Sequence, residues 1–205
     1  MNGRLLLLHT RARGGPAFAL GVAVVAPLAW AAGSWLASRP YFDGPAARIP
    51  VVALAPLLGV LLLAPTLGGA DEELERGTSL RWPGWRAGHI LLGVASIGAA
   101  LALTGLHAPG VFGAYAMVRN TLGYAGLVAA AAVLLGTRLA WLPAFGYACA
   151  VYAARPRQIG GVAGVWAWPL QPSGVTASWL TVAVLFIFGT AGYLHRGCRI
   201  GPVAG

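Results

Sequence analysis

The chain has 205 residues, 58% of them hydrophobic and only 9% charged, with a formal net charge of +9 and a mean hydropathy of +0.73. Soluble domains carry about 25% charged residues, so this composition excludes a soluble globular protein and places the chain in a bilayer. All 14 basic residues are arginine, spread singly or in pairs between apolar runs, which argues against a nucleic-acid face; the lack of lysine removes phosphate-loop, Schiff-base and Ser-Lys chemistry.

In chain order, "MNGRLLLLHTRARGG" sets a leucine block beside Arg4, His9, Arg11 and Arg13 and predicts a short interfacial helix within residues 1–16. A frayed tail is the plain alternative. The basic start, the apolar run and Ala29-Trp30-Ala31 also resemble a secretory signal peptide. A spanning helix needs about 20 mainly apolar residues, and six runs approach this: 17–36, 49–67, 89–106, 120–135, 139–154 and 179–194. The fourth and fifth are short, and Gly136-Thr137-Arg138 between them forces an antiparallel hairpin. Proline and glycine inside the runs are tolerated in membrane helices; Gly123, Gly126 and the alanines 129–132 give the fourth a face for close packing.

With six spans both termini share one side. Arg4, Arg11, Arg13, Arg76, Arg81, Arg86, Arg138, Arg196 and Arg199 fall on that side and Arg39, Arg48, Arg155 and Arg157 on the other, so the positive-inside rule makes the termini cytoplasmic. All eight tryptophans fall near run ends, where amphipathic rings favour the headgroup layer. The expected fold is an all-α integral membrane protein of about six transmembrane helices forming a single domain over 1–205. A short interfacial helix precedes the first span, and a partly membrane-embedded outer loop precedes the last.

The loop 68–88, on the terminal side, holds four of the five acidic residues, Asp71, Glu72, Glu73 and Glu75, followed by Arg76, Gly77 and Thr78 and then by Arg81, Trp82, Trp85 and Arg86. Residues 71–76 can form one or two helical turns with the acids near the N-terminus, where the dipole favours them. Trp82 and Trp85 would anchor the returning chain at the membrane surface. On its own this loop reads either as a docking element or as a solvated spacer between two spans.

"DEELERGT" is similar to the acidic coupling helix between the second and third spans of six-helix export permeases of ATP-binding-cassette transporters. "MVRNTLGYAGLVAAAAVLLGTRLAW" and "VWAWPLQPSG" resemble the fourth and fifth spans and the outer loop of actinobacterial members of that family. The resemblance implies a non-catalytic permease subunit of the cell membrane, in bacteria the inner membrane. It also implies an ATPase-coupling loop at Asp71, Glu72, Glu73, Glu75, Arg76 and Thr78. The partners would be a cytoplasmic ATPase that binds ATP and Mg, a second permease chain, identical or different, and the lipid bilayer. In such an arrangement nucleotide-driven closure of the ATPase pushes a rigid element tied to two spans, and charge gives the docking its orientation. An apolar, sparsely charged lining suits a lipophilic or amphipathic cargo. Two other readings are a substrate-capture subunit of an energy-coupling uptake system and a non-transporting membrane chaperone or immunity protein.

The outer loop, 155–178, is apolar in "IGGVAGVWAWPLQ". It is expected to re-enter or lie on the membrane, with Trp166 and Trp168 as interface anchors and Pro169 and Pro172 ending any helix; the family resemblance implies short helices here that cap an exit path. Arg119 with Asn120 is the charged pair nearest hydrocarbon. Such residues usually face a bundle interior or watery cavity, so Arg119 either snorkels outward or lines a polar path. His9, His89, His107 and His195 show no metal or haem spacing, Cys149 and Cys198 share no motif, and no nucleophile or metalloprotease motif occurs. No catalytic residue, metal ligand or cofactor of the chain's own is expected.

Overall fold

The computed structural model describes residues 8, 10–39, 44–69, 82–106, 111–154 and 156–199. Its helices, in chain order, are α1 (Gly15–Ala37), α2 (Ile49–Leu63), α3 (Trp82–Gly105), α4 (Ala114–Leu135), α5 (Trp141–Ala154), α6 (Gly161–Trp166) and α7 (Thr176–Arg196). Short 3-10 turns, Gly44–Arg48 and Ala64–Leu67, extend α2 at both ends, and a third, Trp168–Leu170, follows α6. No strand occurs among the described residues. Among the described residues five helical segments are long and apolar enough to cross a membrane, namely α1, Ala46–Leu67, α3, α4 and α7, whereas α5 has 14 residues. The chain is therefore a helical membrane protein.

Two boundaries differ from the sequence expectation. α4 starts at Ala114 rather than at Asn120, which puts Arg119 and Asn120 inside the helix. α3 starts at Trp82 rather than at His89, so Trp82, Trp85 and Arg86 ride on its first turns instead of a returning loop. In the N-terminal segment, residue 8 and residues 10–12 are helical and the chain turns at Arg13 and Gly14 into α1.

α4 is the central post. It packs against α2, α3, α5 and α7. Helices in lipid gain little from apolar burial against one another and associate through close packing and hydrogen bonds. The sequence meets that need with glycine: a Cβ on Gly126 would overlap the backbone of Leu185 and Phe186 in α7, and one on Gly189 would overlap the backbone of Gly126. α5 turns only one stripe inward, Ala144, Ala148 and Val151, at a spacing that keeps the three on one helix face. Between α4 and α5, Gly136 adopts φ 80, a left-handed conformation open to glycine, and the predicted hairpin closes there. Tyr124 of α4 and Tyr147 of α5 meet the same ring, Trp168, so the two helices run antiparallel.

The helices alternate in direction. At one end Arg13, Leu67, His89, Ala132, Tyr193 and Arg199 come together through hydrogen bonds, or lie one turn from residues that do. At the other end Gly105 adjoins Ala114, and Val111 accepts a bond from Ser173. α1 is peripheral: 11% of its apolar window is buried, against 61% for Ala46–Leu67 and for α4.

Candidate functional site

Asp71, Glu72, Glu73, Glu75, Arg76 and Thr78 lie outside the described residues. What the structure does give are the two roots of their loop. Its N-terminal root is Leu67, 2% exposed at the end of the α2 segment. The Leu67 carbonyl accepts a hydrogen bond from the Tyr193 hydroxyl at 2.6 Å, one from Arg13 Nη1 at 3.0 Å and a weaker one from the Cys198 thiol at 3.5 Å. Arg13 Nη1 also reaches the Tyr193 hydroxyl at 3.5 Å. One carbonyl thus joins the turn before α1, the end of α2 and the end of α7. Leu67 is the last residue of its 3-10 turn, and the last carbonyls of a helical segment lack intrahelical donors, which frees this one for outside donors.

The C-terminal root is the first turn of α3. One residue before Leu67, Thr66 donates its hydroxyl to the Leu63 carbonyl at 2.7 Å and shares a 2.9 Å hydrogen bond with His89 Nε2. This stitches the end of α2 to the start of α3. Arg86 lies over Gly197, where a Cβ would fall 2.6 Å from Nη2. Arg199 then returns to α4, its backbone N–H on the Ala132 carbonyl and its Nη1 on that of Leu134. Trp82 and Trp85 are half-buried. Sequence reasoning identified the loop but missed Arg13, Tyr193 and His89 as its fixings, since each is an ordinary span-end residue until the ends are brought together.

The opposite end is organised by Arg119 and Asn120, both fully buried. Arg119 donates from Nη1 to the Pro172 carbonyl at 2.8 Å and from Nη2 to the Gln171 carbonyl at 2.7 Å, and its Nε and Nη2 both reach Asn120 Oδ1 at 3.1 Å. Asn120 Nδ2 donates to the Val52 carbonyl and to the Pro169 carbonyl, each at 2.9 Å. The amide thereby uses two donors and receives two bonds. In a helix the N–H of residue 56 would normally serve the carbonyl of residue 52, but residue 56 is proline, without an N–H. Pro56 therefore frees the Val52 carbonyl for Asn120. Arg119 neither snorkels outward nor lines an open path: its guanidinium is spent on backbone carbonyls of the segment 169–172.

That segment folds back into the bundle. α6 and the turn Trp168–Leu170 bury Ala163, Gly164, Trp168, Pro169 and Gln171. Gln171 holds the strap by accepting from the Gly160 N–H at 2.9 Å and donating to the Gln158 carbonyl at 3.1 Å. Trp166 remains at the surface, with its carbonyl accepting from the Tyr147 hydroxyl. Trp168, expected at the membrane interface, is instead 1% exposed inside the bundle. Its centroid is 4.9 Å from that of Tyr124 and 5.8 Å from that of Tyr147, and its ring edge rests on Gly123, where a Cβ would fall 2.5 Å from Cη2. The glycine in α4 makes the berth, and the return of the strap delivers the ring to it.

Among the described residues no group of three His, Cys, Asp or Glu side chains gathers as metal ligands. No protein-family model, curated protein or solved structure matches the chain.

Proposed function

We propose that this chain is the permease subunit of an ATP-binding-cassette exporter, moving a lipophilic or amphipathic cargo with energy from a separate cytoplasmic ATPase that carries the ATP and Mg. The observation that carries the proposal is the fixing of the acidic loop's roots. Leu67 is held by Arg13 and Tyr193, and Thr66 by His89, so a push on Asp71 to Thr78 reaches α1, α2, α3 and α7 together. A rigid element tied to several helices is what converts closure of an attached motor into helix rotation. The far end, between α2 and α4, is filled by Trp168 and the arginine–asparagine cluster, which favours a capped exit over a substrate-capture subunit open to the outside.

In this proposal both termini and the acidic loop face the cytoplasm of a bacterial cell, and a second permease chain, identical or different, completes the path. Changing Asp71, Glu72, Glu73 and Glu75 together to alanine is expected to release a co-purifying ATPase while the permease keeps its elution profile in detergent. Retention of the full ATPase complement would reject the docking role. A reporter fused after Gly205 is expected to read cytoplasmic, and an external reading would reverse the orientation and remove the loop from the motor's reach.

A further inference from the structure

An apolar groove of about 270 Å³ lies between α1 and α2, lined among others by Val25, Ala29, Leu36, Pro50, Leu54 and Leu58. It opens to the bilayer, since Leu28, Leu54 and Leu58 on its rim are all exposed. From Pro50 to Leu58 it follows eight residues of helix, about 12 Å at the α-helical rise. That is close to the depth of one leaflet in a hydrocarbon core of about 30 Å.

At the Pro50 end of the groove stands Arg48, only 9% exposed. Its guanidinium lies against Gly33 of α1, with Nη2 3.4 Å from where a Cβ on that glycine would be. Gly33 belongs to the same helix stripe as Ala29, Ala32 and Leu36, which wall the groove. Arg48 Nε is buried without a hydrogen-bond partner, and among the described residues no hydrogen bond or ion pair holds the guanidinium. This contrasts with Arg119, whose donors are met by three acceptors. An uncompensated buried cation is costly in a membrane protein, and among the described residues no carboxylate offsets this one.

We propose that the groove binds one anionic phospholipid, with an acyl chain lying between α1 and α2 and the phosphate accepting hydrogen bonds from Arg48. The chemistry matches at both ends: an apolar trough one leaflet deep, and a cation with free donors where the headgroup begins. Arginine suits phosphate because its fork presents paired N–H groups. A second copy of this chain fits less well. Four of its five acidic residues follow Leu67, which lies at the opposite end of the bundle, and the fifth, Asp43, lies outside the described residues; an apposed α1 holds no acidic residue, so it would cover the groove without itself bringing Arg48 a counter-charge. The site depends on membrane residence alone and stands independently of the exporter reading.

The test uses the full chain reconstituted in phosphatidylcholine vesicles containing phosphatidylglycerol, then extracted in mild detergent for native mass spectrometry. The wild type is expected to retain one phosphatidylglycerol. Arg48→Gln should lower that retention roughly tenfold or more, the factor for losing hydrogen bonds to a charged group. Ala32→Phe, which fills the groove and keeps the arginine, should lower it similarly. Arg39→Gln, whose guanidinium lies over the Trp35 ring instead, should leave it unchanged. In lipid-free detergent Arg48→Gln should melt no lower than the wild type, and the rise in melting temperature on adding phosphatidylglycerol should vanish. Equal lipid retention by Arg48→Gln overturns the proposal, as does a much lower lipid-free melting temperature, which would reveal a protein partner for Arg48. Displacement of the lipid by inorganic phosphate with Ala32→Phe unaffected would reduce the site to a plain anion site. Efficient Ala32→Cys cross-linking between copies would assign the groove to a dimer instead.

Discussion

Replacing Asn120 by alanine removes four hydrogen bonds at once: Nδ2 to the carbonyls of Val52 and Pro169, and Arg119 Nε and Nη2 to Oδ1. Side-chain hydrogen bonds between membrane helices average about 0.6 kcal/mol, which gives roughly 2.4 kcal/mol for the four. Arg119 also stays buried with fewer acceptors, and an unsatisfied buried donor costs about 1–3 kcal/mol, so the expected loss is about 3–5 kcal/mol. The structure also predicts a partial rescue. The Val52 carbonyl needs Asn120 only because residue 56 is proline, so Pro56→Ala should restore an internal donor and recover about 1 kcal/mol in the Asn120→Ala background beyond its effect on the wild type. The assay is a double-mutant cycle on unfolding free energies of the four proteins, from denaturation in mixed micelles of sodium dodecyl sulfate and a mild detergent. Effects of Pro56→Ala and Asn120→Ala that add to within about 0.5 kcal/mol would refute the link through Val52.

Tyr193→Phe should cost about 1 kcal/mol by deleting the 2.6 Å bond to Leu67 while Arg13 still donates to the same carbonyl; a thermal melt in detergent reads it, and no change would mean the hydroxyl does not hold the loop root. Gly189→Ala should destabilise by about 1–3 kcal/mol or more, because the new methyl enters the backbone of Gly126. Gly146→Ala in α5, where nothing lies within 4 Å of an added Cβ, should be neutral or gain up to about 1 kcal/mol from helix propensity, and equal melting of the two variants would contradict the close approach of α4 and α7. Trp168→Ala should lose about 3–5 kcal/mol, whereas Trp166→Ala should stay within about 0.5 kcal/mol; the reverse order in the same melt would place the wrong tryptophan inside.

The apolar runs, the hairpin at Gly136 and the tight face at Gly123 and Gly126 were legible in the sequence because each depends on neighbours a few residues away. The start of α4 was not. Arg119 interrupts an apolar window and reads as a span end, yet its charge is met by carbonyls of residues 171 and 172, about fifty positions on. Trp168 misled for a related reason. Tryptophan favours the interface on average, and its burial here needs a glycine in another helix and a strap that turns back. Pro56 and Asn120 each carried half of a signal, a freed carbonyl and a polar amide within a span. Pairing them required the packing of α2 on α4. The acidic residues 71–75 were conspicuous by charge, while the side chains that hold Leu67 and Thr66 were not.

The segment carrying α2 is hooked near both ends, through the carbonyl of Val52 and, fifteen residues later, through that of Leu67. At the α-helical rise the hooks stand about 22 Å apart, most of the way across a hydrocarbon core of about 30 Å. Sliding this segment along its axis by more than an ångström or so stretches bonds at both hooks beyond useful length. It therefore behaves as a tie rod: axial displacement at its Leu67 end must either carry α4 and the strap along with it or snap the amide joint at Val52.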